Sequence, residues 1–246
     1  MLVEVTVEKM MQMKLHKMAT SFKERLSRSD HQELSQSEFM GFLVDDEYQH
    51  RQNAKLESRL RCARFKEPDA CIENIDHQFR RCLQKKTILD FAQNEWIKKH
   101  QNIICTGPSG IGKGYVTQAL ANHACRAGYS ILFVRATIMY SQLQTARADG
   151  TYLRKLKTFS KCDVLLIDDF GMSPLDDLSK QDLFEIIEDR HQMKSIIITS
   201  QLPTENWHEY LGGGMLGDAI CDRLLHQSHR IKLVGESYRK AKEILT

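Results

Sequence analysis

The second part of the chain alternates short apolar runs with longer stretches whose apolar residues recur at helical spacing. Apolar runs with the length of β-strands are Ile103 to Cys105, Ser130 to Val134, Val164 to Ile167, Ser195 to Thr199 and Ile231 to Val234. Helices are predicted at Lys113 to Ala127, Ile138 to Ala148, Tyr152 to Ser160 and Leu178 to His191. Strands joined by helical crossovers form a parallel sheet that is covered on both faces. The pattern therefore predicts an α/β fold with its ligand at the carboxyl ends of the strands.

The first hundred residues have a helical pattern. Val7 to Arg28 is predicted as one helical stretch, and Ser35 to Arg64 as a second that begins with a capping box of Ser35 and Glu38. Cys71 to Lys99 is predicted as a linker followed by a helix. We therefore expect an N-terminal helical assembly domain over 1–68, a linker and lead-in helix over 69–100, and the α/β domain over 101–246.

Composition and charge add further expectations. The chain has 246 residues, of which 41% are hydrophobic and 27% charged, as in an ordinary soluble protein. Because it lacks a run of about eighteen apolar residues and a secretory signal, we expect a cytoplasmic protein without a membrane span. The seven cysteines form no C-x-x-C pair, which favours reduced thiols. A net charge of +3 means that local patches must bind any anionic partner.

A glycine-rich loop separates the first predicted α/β strand from the helix that follows it. Strand, loop and helix in this order are the context of a nucleotide-binding P-loop. Glycines let phosphate oxygens approach the loop amides, and Lys113 supplies positive charge for the β- and γ-phosphates. The alternative is a simple glycine-rich turn. The candidate nucleotide-binding residues are Gly107, Pro108, Ser109, Gly110, Ile111, Gly112, Lys113, Gly114 and Tyr115.

One position departs from the P-loop pattern G-x-x-x-x-G-K-[ST]. Gly114 stands where a hydroxyl normally coordinates Mg²⁺. Thr117 is the nearest downstream hydroxyl, but it lies almost one helical turn further on and is not expected to substitute. We therefore expect ATP to bind through the loop amides and Lys113, while Gly114 weakens Mg²⁺ binding and turnover.

The third strand of the α/β domain ends in two adjacent carboxylates. After a P-loop, this is the Walker B arrangement, in which Asp168 holds Mg²⁺ and Asp169 orients or deprotonates the attacking water. Two acids of an ordinary turn are the alternative. The fourth strand ends in Ser200 and Gln201, and a polar side chain there is a candidate to hold that water or to sense the γ-phosphate. A strand-end cap is the competing interpretation.

Several motifs together resemble IstB, the helper ATPase encoded beside the transposase IstA in bacterial insertion sequences, and more distantly the helicase loader DnaC. They are the P-loop, L-L-I-D-D-F-G, I-I-I-T-S-Q-L-P, D-A-I-C-D-R-L-L-H-Q-S-H and the closing G-E-S-Y-R. The resemblance implies an AAA+ P-loop NTPase with a parallel five-stranded sheet of order 5-1-4-3-2 and a small N-terminal helical domain. It also implies homo-oligomers with nucleotide at subunit interfaces, where Arg223 reaches a neighbour's nucleotide and Arg239 acts as a nucleotide sensor.

The resemblance further implies a double-stranded DNA partner and an IstA-like transposase. Basic residues that could contact DNA phosphates follow the second strand, and they are Arg147, Arg154, Lys155, Lys157 and Lys161. A solvated helix face is the alternative. His226 and His229 lack the other ligands of a metal site and are interpreted as structural.

The expected function is that of an ATPase that assembles on target DNA and stimulates a transposase. Two alternatives stay open. The first is a DnaC-like loader of a replicative helicase. The second is a scaffold that binds ATP without hydrolysing it, because Gly114 replaces the P-loop hydroxyl.

Overall fold

A computed structural model of the chain describes residues 2–27, 34–79 and 81–238. By its internal contacts the chain divides into two compact units, Met1–Ser58 and Arg59–Thr246. Within the described residues, no helix is long and apolar enough to cross a membrane.

The first unit is helical. It contains α1 (Leu2–Gln12), α2 (His16–Leu26) and most of α3 (Gln36–Ala63). The prediction of one helical stretch from Val7 was wrong, because the backbone of Lys14 adopts φ 60° and ends α1. The amide of Leu15 then bonds back to Met10 O at 2.9 Å, as in a helix C-cap.

The start of α3 confirms the predicted capping box. The Glu38 amide donates to Ser35 Oγ at 3.2 Å, and the Ser35 amide donates to Glu38 Oε2 at 2.9 Å. Two free amides of the first turn are thereby satisfied.

The second unit begins with the end of α3 and a linker. A 3₁₀ turn at Ile72–Asn74 is followed by α4 (Lys85–Ala92) and the short α5 (Glu95–Lys98). After α5 the chain enters the sheet.

A five-stranded parallel sheet forms the centre of this unit, in the order β2-β3-β4-β1-β5. Read from the other edge, this is the predicted order 5-1-4-3-2. The strands are β1 (Asn102–Thr106), β2 (Ile131–Arg135), β3 (Val164–Phe170), β4 (Ser195–Ser200) and β5 (Ser228–Lys232). The connecting helices are α6 (Lys113–Arg126), α7 (Ala136–Ala148), α8 (Tyr152–Lys161), α9 (Asp177–Arg190), α10 (Trp207–Tyr210) and α11 (Gly214–Leu225).

Two strands differ from their predicted bounds by more than one residue. β3 continues through both aspartates to Phe170, with a bulge after Ile167. β5 begins at Ser228 rather than at Ile231, and Ile231 is its one buried residue. Since β5 is an edge strand, its mostly polar residues carry little of the apolar signal that defines a strand in a sequence.

Two apolar clusters cover the faces of the sheet. Residues of α6, such as Val116 and Leu120, belong to one cluster. Residues of α7, α9 and α11, such as Leu143, Ile186 and Leu224, belong to the other. The arrangement is the predicted parallel sheet with helices on both sides.

Arg190, the last residue of α9, is completely buried. Its guanidinium donates to the backbone oxygens of Phe159 (2.8 Å), Cys162 (2.9 Å), Asp163 (3.1 Å) and Ser195 (2.6 Å). These oxygens lie where α8 leads into β3 and where β4 begins. One side chain thus ties three elements together at the amino ends of two strands.

Candidate nucleotide-binding site

The P-loop connects the carboxyl end of β1 to the first turn of α6. Gly112 caps the helix with φ 97°, and Gly110 has φ 77°, values that favour glycine. A Cβ on Gly107 would lie 2.4 Å from Leu233 O, and a Cβ on Gly110 would lie 2.2 Å from Ser237 Oγ. These glycines are therefore needed because the chain that follows β5 passes directly over the loop, a contact that no local sequence pattern predicts.

The Lys113 side chain lies across this loop. Its Nζ donates to Gly107 O at 2.8 Å and to Pro108 O at 2.9 Å, and the residue is 7% exposed. The ammonium group is thus held at the place where the loop amides bind phosphate in P-loop proteins.

At Gly114 there is room for a side chain. A Cβ built there would lie 3.7 Å from Gln118 Nε2 and 3.8 Å from Asp168 Oδ1, which are ordinary contacts. Thr117 does not fill the space, because its hydroxyl donates to Lys113 O at 3.0 Å and to Gly114 O at 3.2 Å. These contacts hold the Thr117 hydroxyl against its own helix, and the expectation that Thr117 does not replace the missing hydroxyl stays a prediction.

The predicted acids lie at the carboxyl end of β3. Asp168 is 7% exposed and accepts a hydrogen bond from the Thr199 hydroxyl. Burial raises the pKa of Asp168; the Thr199 hydrogen bond opposes this rise and the neighbouring Asp169 adds to it. Asp169 adopts φ 58°, and its amide donates to Thr199 Oγ1 at 3.1 Å. Thr199 therefore contacts the carboxylate of Asp168 and the backbone of Asp169, although the sequence marks it only as part of a strand.

The two polar residues that follow Thr199 have different surroundings. Ser200 donates to Phe170 O at 2.7 Å and accepts from the Leu202 amide at 3.0 Å, so it acts as a strand-end cap. Gln201 instead lines the cavity beside the P-loop.

This cavity has a volume of about 570 Å³, within the range of small-molecule sites. It brings together P-loop residues, both acids and Gln201 with several residues that sequence analysis missed. The missed residues are Lys66, Glu67, Asn74, Asp76, Arg81, Gln118 and Tyr238.

Arg81 is the most buried cation among the missed residues, at 2% exposure. Its Nη2 donates to Asp76 O at 2.8 Å, and its Nη1 donates to Ile111 O at 3.3 Å. Burial lowers the pKa of Arg81. No sequence pattern marks this residue, which lies in the linker and reaches the P-loop only through the fold.

The donor set of the cavity fits a nucleotide carrying Mg²⁺. Among the residues that the structure describes, no three His, Cys, Asp or Glu side chains form a metal cluster. Magnesium is commonly bound through one or two carboxylates together with substrate phosphates, and Asp168 beside the P-loop meets that requirement.

Arg223 lies outside this cavity, near the end of α11. It pairs with Glu188, and its guanidinium carbon lies 5.1 Å from the centre of the Phe184 ring. The Arg223 carbonyl accepts from Asn102 Nδ2 at 3.3 Å, and Asn102 begins β1. Arg223 is therefore placed at the end of β1 opposite to the P-loop of its own chain.

The predicted DNA-contact residues separate into two groups. Arg147 pairs with buried Asp182 and lies 3.9 Å over the Tyr152 ring, so it serves the packing of α7, α8 and α9. On α8, Arg154 and Lys157 are exposed, whereas Lys155 is partly buried with its Nζ 5.6 Å from the centre of the Phe159 ring.

The remaining predictions concern His229, as a structural residue, and Arg239, as a nucleotide sensor. His229 bonds to Gln101 at 2.9 Å and packs against Phe91, which fits the predicted structural role. Arg239 lies outside the described residues.

The strand order and the P-loop after β1 define the AAA+ P-loop fold. Solved structures share the fold: AMPPCP-bound DnaA from Aquifex aeolicus matches with a TM-score of 0.59 at 21% identity, covering 72% of this chain and 55% of that chain. The DnaC helicase loader matches with a TM-score of 0.57 at 18% identity, covering 67% of this chain and 97% of that chain. The chain belongs to the family of IstB-like ATP-binding proteins, which it matches over residues 8–245.

Two relatives that are named as insertion sequence proteins support this membership. An insertion sequence ATP-binding protein of Sinorhizobium fredii is 40% identical over 240 residues, which cover 98% of both chains. The ATP-binding protein of insertion sequence IS1162 from Pseudomonas fluorescens is 36% identical over 204 residues, covering 83% of this chain and 88% of the relative.

Proposed function

We propose that the protein is a Mg²⁺-dependent ATPase that assembles on double-stranded DNA and assists an IstA-like transposase. The observation that carries the proposal is the single cavity in which the P-loop, Lys113 and the paired acids of β3 converge. The relatives described above are proteins of insertion sequences, which favours a transposase over a replicative helicase as the partner.

The residues of the cavity have distinct roles in this proposal. The loop amides and Lys113 hold the phosphates, and Asp168 holds Mg²⁺, which when bound neutralises charge that develops on the phosphates. Asp169 orients the attacking water or accepts its proton. Gln201, directly after β4, lines the same cavity, which supports a role in sensing the γ-phosphate.

Arg223 completes the site of a neighbouring subunit in this proposal. Its position at the opposite end of β1 from its own P-loop is compatible with action across an interface but not with action within one chain. An arginine supplied in this way stabilises charge in the transition state of phosphoryl transfer.

Mixing two inactive variants tests the role of Arg223. Arg223→Ala and Lys113→Ala subunits combined in equal amounts should recover up to about one quarter of the parent ATPase activity, because random assembly makes that share of interfaces intact. Steady-state phosphate release measures the recovery. Replacing the Arg223→Ala partner by the double variant Lys113→Ala/Arg223→Ala is the matched control and should give no recovery. Equal activity in the two mixtures would contradict action across the interface.

The exposed face of α8 is the proposed DNA contact. Arg154, Lys157 and Lys161 follow one another at spacings of three and four residues, so their side chains lie on one helix face. Such a row contacts phosphates without reading bases.

DNA-stimulated ATP hydrolysis tests the proposed function as a whole. We expect double-stranded DNA to raise turnover. The variant Arg154→Gln/Lys157→Gln should lose this stimulation and reduce the slope of log K against log salt for DNA binding by about 1.8, since each phosphate contact contributes about 0.9. Lys86→Gln/Lys99→Gln removes the same charge from exposed lysines elsewhere and should behave like the parent. An unchanged salt slope in the α8 variant would contradict the proposed DNA face.

A scaffold that binds ATP without turnover is the second candidate, and Gly114 is the observation that favours it. In that case the parent would show no hydrolysis in the same assay, and Gly114→Thr, whose Cβ would make only ordinary contacts, would gain it.

A further inference from the structure

Gln118 stands next to the space that Gly114 leaves open. It lies one helical turn after Gly114 on α6, is 1% exposed and lines the cavity. We propose that Gln118 supplies the polar group that this P-loop lacks at position 114, an inference that rests on the proposed binding of Mg²⁺ and ATP.

The geometry of α6 directs the side chain of Gln118 towards the loop. Side chains of a helix lean towards its N-terminus, so a residue at i+4 covers the position one turn before it. Gln118 Nε2 accordingly donates to Gly114 O at 3.2 Å. The same nitrogen lies 3.7 Å from where a Cβ of residue 114 would be, and Asp168 Oδ1 lies 3.8 Å from that point.

The carboxamide is suited to an indirect role. Its Oε1 accepts from the Glu67 amide at 2.9 Å, so direct ligation of a cation would break this hydrogen bond. Mg²⁺ keeps several of its waters when it binds beside a nucleotide. We therefore assign Gln118 as a positioning residue that hydrogen-bonds to water or phosphate oxygens next to Asp168, where a Ser or Thr hydroxyl would otherwise lie.

A purely structural role is the competing explanation, because Gln118 also holds the linker. Asn122, one turn further along α6, offers a matched control. It is likewise 1% exposed, and its Nδ2 donates to Pro68 O at 2.8 Å, but it does not line the cavity. Loss of the Asn122 side chain removes the same kind of linker contact without touching the site.

The test is a double-mutant cycle of Gly114→Ser and Gln118→Ala, read out as the Kd of a fluorescent ATP analogue with Mg²⁺ and with EDTA. We expect Gln118→Ala to weaken binding about tenfold in Mg²⁺, as for the loss of a hydrogen bond to a charged group, and by less than about twofold in EDTA. In the Gly114→Ser background, Gln118→Ala should have little effect, because the serine hydroxyl takes over. Asn122→Ala should bind like the parent, and thermal unfolding of each variant checks its fold.

Two results would overturn the inference alone. One is an equal loss on Gln118→Ala in both backgrounds, since additivity means that the two positions do not share a role. The other is an equal loss on Gln118→Ala with Mg²⁺ and with EDTA, since Gln118 would then act on the fold or on the nucleotide without involvement of the cation. If neither the parent nor Gly114→Ser binds the analogue, the proposed ATPase function is wrong, and the role of Gln118 is overturned with it.

Discussion

Replacing Lys113 with alanine should weaken ATP binding by about 10- to 150-fold and abolish hydrolysis. The Lys113 ammonium is held on the loop by two carbonyls, and hydrogen bonds to charged groups are worth about 1.5–3 kcal/mol each. The lost charge is also needed in the transition state, so turnover should fall further than affinity. Titration with a fluorescent ATP analogue measures binding, and phosphate release measures turnover.

Lys66→Ala is the control for Lys113→Ala. Lys66 also lines the cavity, but it is exposed to solvent, so its removal should change ATP affinity much less. Full hydrolysis by Lys113→Ala would show that the phosphates bind elsewhere. Similar losses in both variants would mean that overall positive charge, rather than the loop geometry, drives binding.

Replacing Arg190 with methionine should lower the free energy of unfolding by about 3–5 kcal/mol, because it leaves several buried backbone oxygens without a donor and each such group costs about 1–3 kcal/mol. The substitution removes hydrogen bonds to four backbone oxygens at the junction of α8, β3 and β4. Those oxygens would stay buried, because methionine fills most of the volume but donates nothing. Chemical denaturation followed by circular dichroism measures the change.

Arg154→Met provides the comparison, since Arg154 is exposed on α8. That substitution should change the free energy of unfolding by no more than about 0.5 kcal/mol, as is usual at surface sites. If the two variants were equally stable, the carbonyls around Arg190 would have found other partners.

The fold was predictable where apolar residues mark an element by themselves. β1, β3 and β4 are buried on both faces of the sheet, so each appears in the sequence as a continuous apolar run. The bounds of β5 were predicted wrongly, because only one of its residues is buried and a single buried residue does not mark where a strand begins or ends. The break at Lys14 was missed because Met10, Met13 and Leu15 continue the apolar pattern past the end of α1.

The site was predictable where its chemistry lies in contiguous residues. The P-loop and the two aspartates are local motifs whose flanking strands place them at one edge of the sheet. Arg81, Gln118 and Tyr238 lie in three different segments, and only the tertiary path brings them to the same cavity. Thr199 acts on the cavity through its hydrogen bond to Asp168. A buried arginine in a linker has no spacing rule that would reveal it.

The passage of the last described segment over the P-loop has a consequence for biosynthesis. β1, which carries the loop, pairs with β4 and β5, and both strands follow it in the chain. Leu233 and Ser237 then pack on Gly107 and Gly110. A ribosome therefore synthesises the P-loop long before β4 and β5. Until those two strands emerge, both edges of the nascent β1 are unpaired. The nucleotide site is completed only when translation has passed residue 238, so a chain that stops earlier lacks part of its wall.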